Sequence, residues 1–249
     1  MDKFIFHGIP NLVGSLFSIV FVWFCVIKFK RKSYKDKLKP LIFLYAMLMI
    51  LEIVKIFYHI TVQGAYPPQR YPIVFCSLIM FTYPIICHSK KETMAVRISK
   101  ALSIIPCIVI GACYLFILPD VSSGFSTYSF VMNLHSRFYH FCMLAGALYM
   151  IFVKLYDFRF KDFFASGLTV GGYFLLCTIL SLFIGGNLSY FGPTSAPVQF
   201  LYQAVGYAVG NVLLCIVAML LSSASFAFIN LCISLHKKRT TSLSLKNLL

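Results

Sequence analysis

In a chain of 249 residues, 60% are hydrophobic and only 12% are charged, whereas a water-soluble domain carries about 25% charged residues. So much apolar surface cannot be hidden inside a soluble globule, so part of the solvent must be lipid. The net charge of +15 does not indicate a nucleic-acid partner, because the basic residues sit in short loops between apolar runs and form no basic domain of their own.

The apolar runs are continuous and roughly 17 to 25 residues long, a length that suits membrane helices and not the ~10-residue alternating strands of a barrel. The first, about Ile9 to Ile27, ends at a basic loop with Lys28, Lys30, Arg31, Lys32, Lys35, Lys37 and Lys39. Only Lys3 precedes it and no small-residue cleavage site follows, so a retained span is expected and not a removed signal peptide. The second, about Pro40 to Val62, gives way to a Gly/Pro turn over Gln63 to Arg70. The third, about Tyr71 to Cys87, leads to a second basic loop with Lys90, Lys91, Arg97 and Lys100. A fourth covers about Ala101 to Leu118 and precedes a polar loop with Asp120, Ser122, Ser123 and Gly124. The fifth, about Arg137 to Val153, meets a third basic loop of Lys154, Arg159 and Lys161. The sixth, about Phe163 to Ile184, is followed by a Gly/Pro-rich loop over Gly185 to Gln199. The last stretch, Phe200 to Leu235, is too long for one crossing of ~20 residues. It reads as a span near Leu201 to Leu221 that continues toward the tail Lys237, Lys238, Arg239.

Lys and Arg concentrate in alternate loops and the tail, which the positive-inside rule places in the cytoplasm. The expected fold is therefore all-α: a polytopic bundle of seven transmembrane helices with the N-terminus outside and the C-terminus cytoplasmic. Residues 1–235 form the membrane domain and 236–249 a basic cytoplasmic tail. No internal repeat is visible, so an inverted-repeat transporter gains no direct support. Of the nine cysteines, Cys25, Cys107, Cys113, Cys177, Cys215 and Cys232 lie in apolar runs, where the thiol behaves as a small hydrophobe. No CxxC pair and no phosphate-binding glycine loop occurs, so neither a metal nor a cofactor is expected.

Ionisable groups inside spans are costly and mark a bundle interior or a polar cavity. The second run carries Glu52, Lys55 and His59, whose spacings place all of them on one helical face. One reading is an ion pair that locks packing; the favoured one is a polar cavity with His59 toward its outer mouth. Cys76 in the third run and His140 in the fifth fall at similar outer depth, and Asn187 lies just beyond the sixth. A thiol and an imidazole at one depth can act as a nucleophile pair if they meet, the imidazole drawing off the thiol proton.

Three segments carry a family resemblance. Tyr71 to Pro84 (YPIVFCSLIMFTYP) resembles the short His/Cys motif of the YwaF-like bacterial integral membrane proteins. Arg137 to Tyr149 (RFYHFCMLAGALY) and Gly185 to Tyr202 (GGNLSYFGPTSAPVQFLY) are similar to later segments of that family, in the same order. The family includes eukaryotic transmembrane acyltransferases that remodel ether phospholipids. The resemblance implies an integral protein of a bacterial cytoplasmic membrane with membrane phospholipids as its partners, and an acyl-enzyme formed on Cys76 with help from His140. Where the motif usually has His or Gln two residues before the cysteine, this chain has Val74. The expected activity is lipid acyl transfer, with Asn187 as oxyanion-stabilising or substrate-orienting residue. The alternatives are a non-enzymatic binder or transporter of a small polar solute, using the same buried charges, and a structural or sensory subunit without chemistry.

Overall fold

The computed structural model describes residues 2–66, 77–116, 127–157 and 159–184, with separate positions inside 203–235. Among the described residues the ordered elements are helices and none is a strand. In chain order they are α1 (Asp2–Phe29), α2 (Tyr34–Lys37), α3 (Lys39–Gln63), α4 (Leu78–His88), α5 (Met94–Phe116), α6 (Thr127–Phe152) and α7 (Phe160–Ile184). The described positions of the last apolar run are helical apart from Gly206, whose φ is 80°. Residues 236–249, expected as the basic tail, lie outside the described residues.

By length and apolarity together, Tyr34–Gln63 is long enough to cross a membrane, and shorter apolar helical stretches occupy Val13–Phe29, Leu78–His88 and Phe164–Cys177. The α3 and α7 helices coincide closely with the second and sixth apolar runs. Two helices start earlier than the apolar pattern suggests. The α5 helix begins at Met94, so Arg97 and Lys100, expected in a loop, lie on its first turns. Thr127 opens α6 well ahead of Arg137. On those turns Arg97, Lys100 and His135 find protein partners, so polarity there does not break the helix.

The bundle is apolar outside and partly polar inside. Phe17, Val20, Trp23, Phe24 and Ile27 of α1, and Phe43, Ile50, Ile53 and Phe57 of α3, are exposed. Contiguous apolar surface of this kind is unstable in water and suits hydrocarbon surroundings. The buried stripe of α3 runs through Leu41, Leu44 and Leu48 and then continues with Glu52, Lys55 and His59. One helical face thus turns from apolar to polar along its length.

Helix α6 is central, packing on α1, α3 and α5. Small residues let its neighbours approach. A Cβ on Gly14 of α1 would fall inside the Phe141 ring of α6, and one on Gly146 of α6 would overlap the Tyr83 hydroxyl of α4. One turn past Gly14, the Ser18 hydroxyl donates to the Gly14 carbonyl at 3.0 Å. Between α4 and α5, Thr82 and Ser103 hydroxyls share a hydrogen bond of 2.6 Å. The α6 helix closes with Lys154 at φ 55°, while Leu155 N–H donates to the Met150 carbonyl and Lys154 N–H to that of Ile151. This is a Schellman stop with lysine in the left-handed position usually held by glycine.

Candidate functional site

The polar half of the α3 stripe meets α6. Lys55 Nζ lies 2.5 Å from Glu52 Oε1, and the Tyr66 hydroxyl donates to the same oxygen at 3.0 Å. Gly64 ends α3 with φ 73°, a left-handed turn that reverses the chain and returns Tyr66 alongside the helix. The Tyr66 ring stands edge-on to His59 at 5.6 Å, with the Lys55 ammonium 5.9 Å from its centroid. His59, fully buried, pairs through Nδ1 with Gln63 Oε1 at 3.1 Å. Glu52 and Lys55 form an ion pair, and Tyr66 and His59 extend it into a connected polar group.

Across from it stands His135 of α6, a helix that also carries Arg137, Tyr139 and His140. His135 Nε2–H donates to the Leu51 carbonyl of α3 at 2.9 Å, next to Glu52 in sequence. That carbonyl's second lone pair accepts this bond, so α3 keeps its own hydrogen-bond ladder. Arg137 and His140 are buried, and the His140 Nδ1–H donates to the Ser136 carbonyl at 2.6 Å. A carbonyl can only accept, so the neutral His140 ring carries its basic lone pair on Nε2.

Of the residues singled out in the sequence, Glu52, Lys55, His59 and His140 are described, on two packed helices. Cys76 and Asn187 lie outside the described residues. Cys76 immediately precedes Ser77, the buried residue that opens α4. Two members of the polar group escaped the sequence reading, His135 and Tyr66. His135 lies ahead of the apolar run assigned to its helix, and Tyr66 in what read as a plain turn. The signal available was one of spacing, since His135, Tyr139 and His140 share α6. Among the described residues no group of three His, Cys, Asp or Glu side chains is placed to hold a metal.

A second polar cluster closes the other end of the bundle. Asp162 at the start of α7 accepts from Arg97 Nε at 3.1 Å, from Arg97 Nη2 and from the Tyr156 hydroxyl. Arg97 Nη2 also donates to the Asp157 carbonyl at 3.1 Å. The hydrogen bond to Asp162 raises the Arg97 pKa, and burial raises that of Tyr156. Lys100 Nζ pairs with Glu92 at 2.7 Å and sits 5.1 Å from the Tyr34 ring centroid. Lys37 Nζ donates to the Val153 carbonyl, and the Tyr149 hydroxyl to the Lys37 carbonyl. All three basic loops thus touch at one end of the bundle, and some of the lysines and arginines that read as topology signals are structural members.

The sequence profile of the TMEM164 family matches residues 6–223. No curated protein and no solved structure matches the chain. The profile covers most of the 249 residues and all of the helices that build the site. The chain therefore belongs to the TMEM164 family, a family of transmembrane proteins.

Proposed function

We propose that this protein is a seven-span membrane-embedded lipid acyltransferase in which Cys76 carries the acyl group and His140 moves the proton. The observation that carries the reading is the His140 tautomer, a buried imidazole whose Nδ1–H is held by Ser136 so that Nε2 is the basic nitrogen. A general base needs an unprotonated ring nitrogen, which this tautomer leaves at Nε2. Further support comes from α4, which begins just after Cys76, packs on α3, and brings Tyr83 against Gly146 of α6. The phospholipid resemblance of the Cys76 and His140 segments points the same way.

In the proposed cycle the Cys76 sulfur attacks the ester carbonyl of a donor phospholipid and passes its proton to His140 Nε2. Collapse of the tetrahedral intermediate breaks the ester C–O bond, and the leaving lysolipid oxygen takes that proton. An acceptor hydroxyl then gives its proton to His140 and attacks the thioester, and the departing thiolate is reprotonated. Asn187 is assigned to the oxyanion. Ester and thioester exchange without redox change, so the scheme needs no cofactor. The site would lie in the outer half of a bacterial cytoplasmic membrane.

A second reading is a binder or transporter of a small polar solute, favoured by the buried Glu52–Lys55 pair, which forms no bond in the acyl-transfer chemistry. Intact-mass spectrometry of the protein purified in native lipid, before and after neutral hydroxylamine, separates the two. A fatty-acyl adduct that hydroxylamine removes and Cys76→Ser abolishes is the expected result. If excess phospholipid yields no adduct, acyl transfer is refuted. Solute uptake that collapses in Glu52→Gln and ignores Cys76→Ser would establish the second reading.

A further inference from the structure

The bonding of Glu52 is incomplete on one side. Oε1 takes both Lys55 and Tyr66, while Oε2, on a side chain 4% exposed, has no hydrogen-bond partner among the described residues. A carboxylate oxygen buried without a donor is strongly disfavoured, so such an atom marks a place for a donor that the described residues do not supply. Charge decides which donor. Lys55 already neutralises Glu52, and a ligand ammonium would leave an uncompensated cation in the bundle interior. An uncharged hydroxyl adds the missing hydrogen bond and no charge. The Tyr66 and His59 rings beside the pair offer apolar edges to the carbon skeleton that bears such a hydroxyl.

We infer that Glu52 Oε2 receives an uncharged hydroxyl carried by a lipid, such as the free glycerol hydroxyl of a monoacylated phospholipid. This rests on the acyl-transfer reading, in which that hydroxyl is the acyl acceptor, and assigns Glu52 to holding it. Binding is measured apart from turnover. Full-length protein in nanodiscs is titrated with a lysophosphatidylcholine and with its analogue lacking the glycerol hydroxyl, and the carboxylate bands are followed by infrared difference spectroscopy. The chain has only seven Asp and Glu residues, so the band is assignable with the charge-neutral Glu52→Gln/Lys55→Met variant. The hydroxyl lipid is expected to bind roughly ten- to a hundredfold more tightly than its analogue and to shift the Glu52 band. Both the double variant and Glu52→Asp, which keeps the charge but withdraws the oxygen by one methylene, lose that preference.

Equal affinity for the two lipids, or a preference that survives in Glu52→Asp, overturns the assignment. So does an identical band shift with glycerol alone, which would make the donor a water-phase polyol. A Cys76 thioester with no hydroxyl preference sinks this inference alone. A hydroxyl preference with no thioester sinks acyl transfer and leaves the Glu52 site standing.

Discussion

Asp162→Asn tests whether the loop-side cluster is dry. The Arg97 and Asp162 side chains are 10% and 1% exposed, so the substitution leaves a guanidinium in the cluster without its counter-ion. Breaking a buried pair by removing one partner costs about 3–5 kcal/mol. Glu92, itself 43% exposed, stands 3.9 Å from Arg97 Nη1 and supplies part of the lost compensation. The lower end, about 3 kcal/mol, is therefore expected, and in a chain of this size it lowers the melting temperature by roughly 6 to 12 °C. Size-exclusion chromatography after graded heating in detergent gives the readout. The double variant Arg97→Met/Asp162→Leu removes both charges and is expected to stay within about 2 kcal/mol of the wild type. An Asp162→Asn protein melting within about 2 °C of wild type would mean water screens the pair and would refute the reasoning.

Tyr83→Phe removes a buried hydroxyl with no hydrogen-bond partner among the described residues, and is expected to be neutral or stabilising by up to about 1 kcal/mol in the same heating assay. Gly146→Ala sets a methyl against that hydroxyl and is expected to cost about 1–3 kcal/mol, less in a Tyr83→Phe background, as a double-mutant cycle will read. His135→Leu deletes the α3–α6 hydrogen bond, with an expected loss of about 0.6 and at most ~1.7 kcal/mol; a much larger drop would show that the histidine does more than join two helices. The Asp36 carboxyl, bonded to Lys39 and Ser33, has a lowered pKa. Its contribution is complete above the ordinary carboxylate value of about 3.9 and is lost as pH falls through the lowered folded value, which an NMR titration of the Asp36 carboxyl carbon checks.

The sequence made the helices legible because apolar run length and loop charge are one-dimensional properties. It also placed Glu52, Lys55 and His59 on one face, since helical period alone decides that. Helix starts were harder. Arg97 and His135 read as loop residues because a polar side chain at a span edge looks the same in sequence whether water or a distant helix satisfies it. Asp162, 65 residues from Arg97, was the missing half of that inference. Tyr66 was hidden for a related reason: the left-handed turn at Gly64 is locally readable, but where it delivers the next aromatic ring is not. Depth matching brought Cys76, His140 and Asn187 together in the sequence, and only His140 falls among the described residues.

The contact between Arg97 and Asp162 also orders events during synthesis. The ribosome delivers α5 with its arginine long before the aspartate that neutralises it, and α6 is made in between. Until the segment from Tyr156 to Asp162 emerges, Glu92 is the acidic partner that the described residues offer Arg97, and a charge so placed favours the membrane interface for the start of α5. The Asp162 contacts of the loop-side end therefore form last, after Lys37 can already meet Val153 and Tyr149. A chain halted before that point would carry an unfinished, charged seam, a feature by which quality control can tell a partial product from a finished one.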